Sequence, residues 1–168
     1  PRRPAHVPVV RVHRHPAAPA PRAGPRRPQP PTTLVTQTAR GTFEVSMKPM
    51  PADDYTDGAT LGRMSLDKRF HGDLEATGRG QMLTAMTPVS NSAGYVAIER
   101  VAGTLDGRRG GFVLQHSGIM ERGAQRLTLV VVPDSGTEEL AGISGSMTIE
   151  IANGLHAYAF AYALPVAP

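Results

Sequence analysis

From Arg40 onward the chain alternates apolar and polar residues in short runs separated by turn residues, which is the period of half-buried β-strands. Gly41, Phe43, Val45 and Met47 alternate with Thr42, Glu44 and Ser46 until Pro49 and Pro51 end the run. ADDYTDG then reads as a polar turn. Gly62 to Phe70 alternates again, with Met64, Leu66 and Phe70 on one face and Arg63, Ser65, Asp67 and Arg69 on the other. Lys68 falls on the apolar face, and its stem is expected to snorkel to a barrel mouth in preference to being buried in a pair. LEATGRGQMLTAM is a weaker strand of no definite register, and its glycines predict a bulge or bend where a sheet closes on itself.

Two hairpins are explicit. In GSMTIEIANGLHAYAFAYAL the Asn153-Gly154 pair between alternating runs is a strong two-residue turn signal. It places Ala152 opposite Leu155, Ile151 opposite His156, Ile149 opposite Tyr158, Met147 opposite Phe160 and Gly145 opposite Tyr162. Met147, Ile149, Ile151, His156, Tyr158, Phe160 and Tyr162 form the inward face, and Ser146, Thr148, Glu150, Ala157, Ala159 and Ala161 form the outward one. YVAIERVAGTL, Asp106-Gly107 and RRGGFVLQHSGIM make the other hairpin. Here Thr104 pairs with Arg109, Val101 with Phe112, Glu99 with Leu114 and Ala97 with His116. Glu99 and His116 are then diagonal neighbours roughly 7 to 8 Å apart at the backbone, on one face with Tyr95, Val101, Phe112 and Leu114. A loop one residue longer would move His116 to the opposite face.

Arg126 to Val132, with its run TLVVV, reads as a strand buried on both faces, and PDSGTEELAG as a connecting loop. No segment keeps a helical period over two turns. The pattern is that of an all-β barrel or sandwich. Eight strands make a barrel whose interior is filled by side chains or holds one small ligand.

Composition divides the chain unevenly. Residues 1–31 hold seven Arg, ten Pro, three His and no acidic residue, leaving eleven Lys and Arg against fourteen Asp and Glu in the other 137. The tail is therefore +7 and the body −3. Residues 1–35 are expected to be a disordered or polyproline-like tail, and residues 36–165 a single barrel domain. An inert tail outweighs a nucleic-acid or proline-domain contact. The late onset of the pattern also fits a misassigned start, which the amino-terminal mass of the natively expressed protein tests. The acidic body gives no basis for nucleic-acid binding through the barrel. Cysteine is absent, so thiolate chemistry and disulfides are excluded. The expectation is a cytoplasmic protein that neither spans nor enters a membrane.

Several stretches resemble one family: GTFEV, LGRMSLDKRFHGDLEAT, GQML, SAGYVAIERVAGTLDGRRGGFVLQHSG, LTLVVVPDSGTEELAGISGSMTIEI and NGLHAYAFAYAL. They are similar to an uncharacterised bacterial domain-of-unknown-function family with an allene oxide cyclase-like barrel. The resemblance runs from about Gln37 to Leu164. It implies a closed antiparallel eight-stranded barrel and carries over no reaction, since the link to the plant cyclases is one of fold.

Candidate chemistry is sparse. His71, His116 and His156 lie far apart on different strands without ligand spacing, so no metal is expected. No cofactor is expected either. GRRGG at 107–111 lacks the Lys-Ser/Thr ending of a phosphate loop. Ser117 and His116 point to opposite faces, which argues against a hydrolytic dyad. What remains is an inward-facing set: Glu99 as acid/base or electrostatic guide with His116 orienting it, hydrogen bonds from Tyr95, Tyr158, Tyr162 and His156, and a cavity shaped by Phe70, Phe112 and Phe160. Each member has a structural alternative: a Tyr hydroxyl at the barrel rim, a His bonded to backbone, or Glu99 paired with Lys68 or His116. Burial would raise the Glu99 pKa unless a cation compensates. The reading is a small-molecule-binding barrel, extending to a cofactor-free isomerase or cyclase on a hydrophobic substrate. The alternative is a non-catalytic carrier or structural module. Outward Val96, Ile98, Val113 and residues 127–132 are apolar enough to predict a homo-oligomer.

Overall fold

The computed structural model describes residues 34–51 and 58–165, and throughout them the chain is built from β-strands and turns. The expectations for the Pro/Arg-rich segment and for residues 52–57 lie outside the described residues. The strands are β1 (Leu34–Met50), β2 (Thr60–Gly72), β3 (Leu74–Met86), β4 (Ala93–Leu105), β5 (Arg108–Glu121), β6 (Ala124–Val131), β7 (Thr137–Glu138), β8 (Ser144–Ala152) and β9 (Leu155–Pro165). Eight of them close an antiparallel barrel in the order β4-β3-β2-β1-β9-β8-β6-β5, with β5 returning to β4. The two-residue β7 adds only a short pairing to Gly110 and Gly111 on β5.

Local pattern set the hairpins correctly. Asp106 and Gly107 have φ of 46° and 79°, and Asn153 and Gly154 have φ of 51° and 79°. Positive φ at both central residues is the turn whose twist matches the flanking strands. Every pairing expected for the two hairpins is realised.

Non-local structure accounts for the differences. β1 begins at Leu34, well before the visible alternation, because Leu34 to Phe43 pairs with β9 and Gly41 to Met50 with β2. One strand thus serves both neighbours across the closure. β3 has no bulge: its registers with β2 and β4 run unbroken. Its glycines serve close approach instead. A Cβ at Gly80 would stand 2.2 Å from the Ile98 carbonyl oxygen, and one at Gly78 would stand 1.9 Å from Glu99 Oε1. β6 is buried on one face only, through Leu129 and Val131, while Leu127 and Val130 are exposed.

The interior is dense with rings. Phe43 lies 5.5 Å from Phe70, Phe70 5.8 Å from Tyr158, Phe112 5.3 Å from Phe160, and Phe160 5.5 Å from Tyr162. The segment expected to be a plain connection between β6 and β8 closes the adjacent end. It buries Leu140 and Ile143, and it is pinned to β5 by the Arg109 amide donating to Glu139 Oε2, Gly111 to Thr137 Oγ1 and Val113 to Ser135 Oγ. The opposite end is looser. Met64, Met82, Tyr95 and Ile149 are half-buried there, and Met47 and Ile151 are exposed.

Candidate functional site

Lys68 on β2, Glu99 on β4 and His116 on β5 meet inside the barrel. Lys68 Nζ and His116 Nε2 each lie 2.9 Å from the same oxygen, Glu99 Oε2. The register explains the meeting. Glu99 faces Leu114 and His116 faces Ala97, which makes them diagonal partners. Lys68 is separated from β4 by β3, where it faces Gly78, while Glu99 faces Gly80. Two glycines on the intervening strand present no side chain, so the ammonium and the carboxylate reach each other across it. Lys68 is therefore buried and paired, not snorkelled to a mouth; it is 8% exposed and Glu99 0%. The signals were its place on the apolar face of β2 and the alternative pairing of Glu99 with Lys68, and what no local pattern gave was the glycine gap on β3 that lets them meet.

The electrostatics follow from that geometry. Burial pushes the Glu99 carboxyl up, but contact with His116 and the charge and hydrogen bond of Lys68 more than offset it, holding the carboxyl below the usual range. The compensating cation that the sequence left open is thus present. Lys68 Nζ also lies 4.8 Å from the Phe43 ring centroid and 5.5 Å from that of Phe70, so ring faces supply further stabilisation of its charge. Saturation is incomplete. Glu99 Oε1 has no hydrogen-bond partner among the described residues, and the His116 Nε2 contact, though close, is not aligned as a directed hydrogen bond. One buried acceptor oxygen and one ring nitrogen are thus left without a directed hydrogen bond among the described residues.

The other expected site residues are distributed differently. The Tyr158 hydroxyl accepts from the Leu74 amide at 3.0 Å and donates to the His71 carbonyl at 3.2 Å. The Tyr162 hydroxyl donates to Asp106 and sits against the side-chain amide of Gln37. Burial first, and then the Asp106 carboxylate, push the Tyr162 phenol up to about 12. Both phenols are thus engaged with strand ends and turns at the closed end, away from the charged cluster. Phe112 and Phe160 stack within the core, and Phe70 meets Phe43 tilted and Tyr158 edge-on. His156 is half-buried with its ring 5.0 Å from Phe43. Tyr95 is half-buried near the looser end, where burial raises its pKa, and its ring covers Gly118. Among the described residues no three His, Asp or Glu side chains come together as a metal cage, and no helix is long and apolar enough to cross a membrane.

Fold and interior together define a small closed antiparallel barrel built around a buried Lys–Glu–His cluster. The model of a family of proteins of unknown function, DUF3224, matches residues 39–162, and the chain belongs to that family. It is similar to a solved DUF3224-family protein of unknown function from Shewanella oneidensis MR-1, at 52% identity over 79% of this chain and 99% of that one, with a TM-score of 0.75. No curated protein matches it.

Proposed function

We propose that the barrel binds a small, mostly apolar molecule whose polar group meets Glu99 Oε1 and His116 Nε2. The observation that carries this is the charged cluster itself: three ionisable side chains from three strands, buried, sharing one carboxylate oxygen and leaving the other without a partner. Apolar residues of similar volume would stabilise such an interior as well or better, so the cluster is not explained by stability alone. A few converging polar groups within apolar walls suit a small-molecule site. Methionines 64 and 82, Tyr95 and Ile149 bound the looser end through which a ligand would approach.

The lowered Glu99 pKa makes the carboxylate a fixed anion and a weak base. Glu99 is then an electrostatic guide, with Lys68 and His116 holding it. Catalysis of an isomerisation or cyclisation without a cofactor would rest on that guidance and on the walls holding a reactive conformer. The resemblance to allene oxide cyclase-like barrels fits this reading at the level of fold only. The competing reading is a filled structural barrel, favoured by the four ring contacts that pack the core.

Native mass spectrometry of the full chain separates the two. The binding reading expects a co-purified adduct of about one per chain, lost when the cluster is replaced by Lys68→Met with Glu99→Leu. A bare chain from every source, with the doubly replaced variant equally folded and more stable, would establish the structural reading. If an adduct is present, turnover of that molecule by wild type but not by Glu99→Gln identifies an enzyme, and retention without turnover a carrier.

A further inference from the structure

The outer wall of β2 to β5 carries a groove of about 1130 Å³ that has no part in the lumen cluster. Its floor is apolar: Leu83, Val96 and Ile98 are 57%, 52% and 53% exposed, and Val113 lies beside them. Leu83 and Val96 face each other across β3 and β4. Four residues along the same strands, beyond Gln81 opposite Ile98, Arg79 faces Arg100 directly. Like charges directly opposite on neighbouring strands repel. The only acidic side chain against this pair among the described residues is Asp67, 3.9 Å from Arg79 Nε and itself exposed, so its compensation is weak. Arg63 stands at the rim, bonded to Gln81. The lining thus holds three arginines and no carboxylate, on a body that carries net −3 outside its first 31 residues. Clustered positive charge on an acidic body is a local feature, not a reflection of composition.

We infer that this groove binds a free amphipathic anion, an oxyanion head on an extended apolar body. The head lies between Arg79 and Arg100, relieving their repulsion through charge-assisted hydrogen bonds from two guanidinium forks. The body lies on Leu83, Val96 and Ile98, which are otherwise in water. The concavity favours this over a flat protein contact. Its volume of about 1130 Å³ lies just above the roughly 300–1,000 Å³ of small-molecule pockets. A second copy of the same face would set its arginines against these.

The test is calorimetric titration of the full chain with monomeric decanoate, with decanol and decyl phosphate as companions. Saturable binding of about one decanoate per chain is expected, weakened at least about tenfold by Arg79→Gln with Arg100→Gln and by loss of the charged head in decanol. Arg126→Gln, an exposed arginine on β6 outside the groove, should leave it unchanged. Both groove arginines are on the surface, so the variants should keep the wild-type circular dichroism. Absence of saturable binding would overturn the proposal. So would binding indifferent to the arginines, binding abolished by Glu99→Gln, or a dimer in sedimentation that buries the groove and is dissociated by Ile98→Glu. Binding of anionic vesicles without binding of monomeric decanoate or decyl phosphate would also overturn it, by identifying a membrane surface as the ligand.

Discussion

At the scale of single residues, the Lys68–Glu99 pair makes its cost visible when one partner is removed. Lys68→Met leaves a buried carboxylate with His116 alone, and chemical denaturation should show a loss of roughly 3–5 kcal/mol. Adding Glu99→Leu should recover most of that loss, since two apolar side chains need no partners. Gly78 is the quieter member of the site. Gly78→Ala would set a Cβ 1.9 Å from Glu99 Oε1, and the same measurement should show a loss of about 1–3 kcal/mol that largely disappears in a Glu99→Leu background. The pH dependence has a definite sign. The folded Glu99 carboxyl titrates below its ordinary value of 4.5, so the unfolded chain binds more protons in that window. The stabilisation from Glu99 is full above about 4.5 and is lost as pH falls through the folded value. The stability difference between wild type and Glu99→Gln should therefore shrink on acidification below 4.5.

At the scale of elements, the barrel has a strong wall and a weak seam. β4 and β5 pair along their whole lengths, whereas β6 and β8 share only Leu129 with Met147 and Val130 with Ser146. Amides of residues 124–128 and 148–152 on the facing edges should exchange with deuterium well before those of the β4–β5 ladder. The segment between β6 and β8 works against opening at the other end, and Leu140→Ala should cost about 2–5 kcal/mol because that side chain is fully buried. Elements also mark what was legible in the sequence. Asp106-Gly107 and Asn153-Gly154 determined two hairpins and the diagonal meeting of Glu99 with His116, because turn chemistry and period-two alternation are local. Lys68 was placed on the right face, but its pairing with Glu99 ranked second to snorkelling, since that carboxylate lies two strands away across glycines. Those glycines read as a bulge because close approach and bulging ask for the same residue. The early start of β1, the plug at Leu140 and Ile143, and the engagement of Tyr158 and Tyr162 with strand ends and turns all depend on barrel closure, which no local pattern expresses.

At the scale of the whole molecule, the barrel separates two chemistries. Its lumen is apolar and aromatic around one compensated charge cluster, and its outer wall along β2 to β5 is an apolar groove edged by arginine. The lumen cluster is the claim on which the functional reading rests, and carbon-detected NMR titration of the Glu99 side-chain carboxyl tests it most directly. A midpoint below 4.5 in wild type that moves upward in Lys68→Met is the result this structure predicts. A midpoint at or above 4.5 that is unmoved by Lys68→Met would contradict it, by showing a carboxyl that neither the ammonium nor the barrel interior holds.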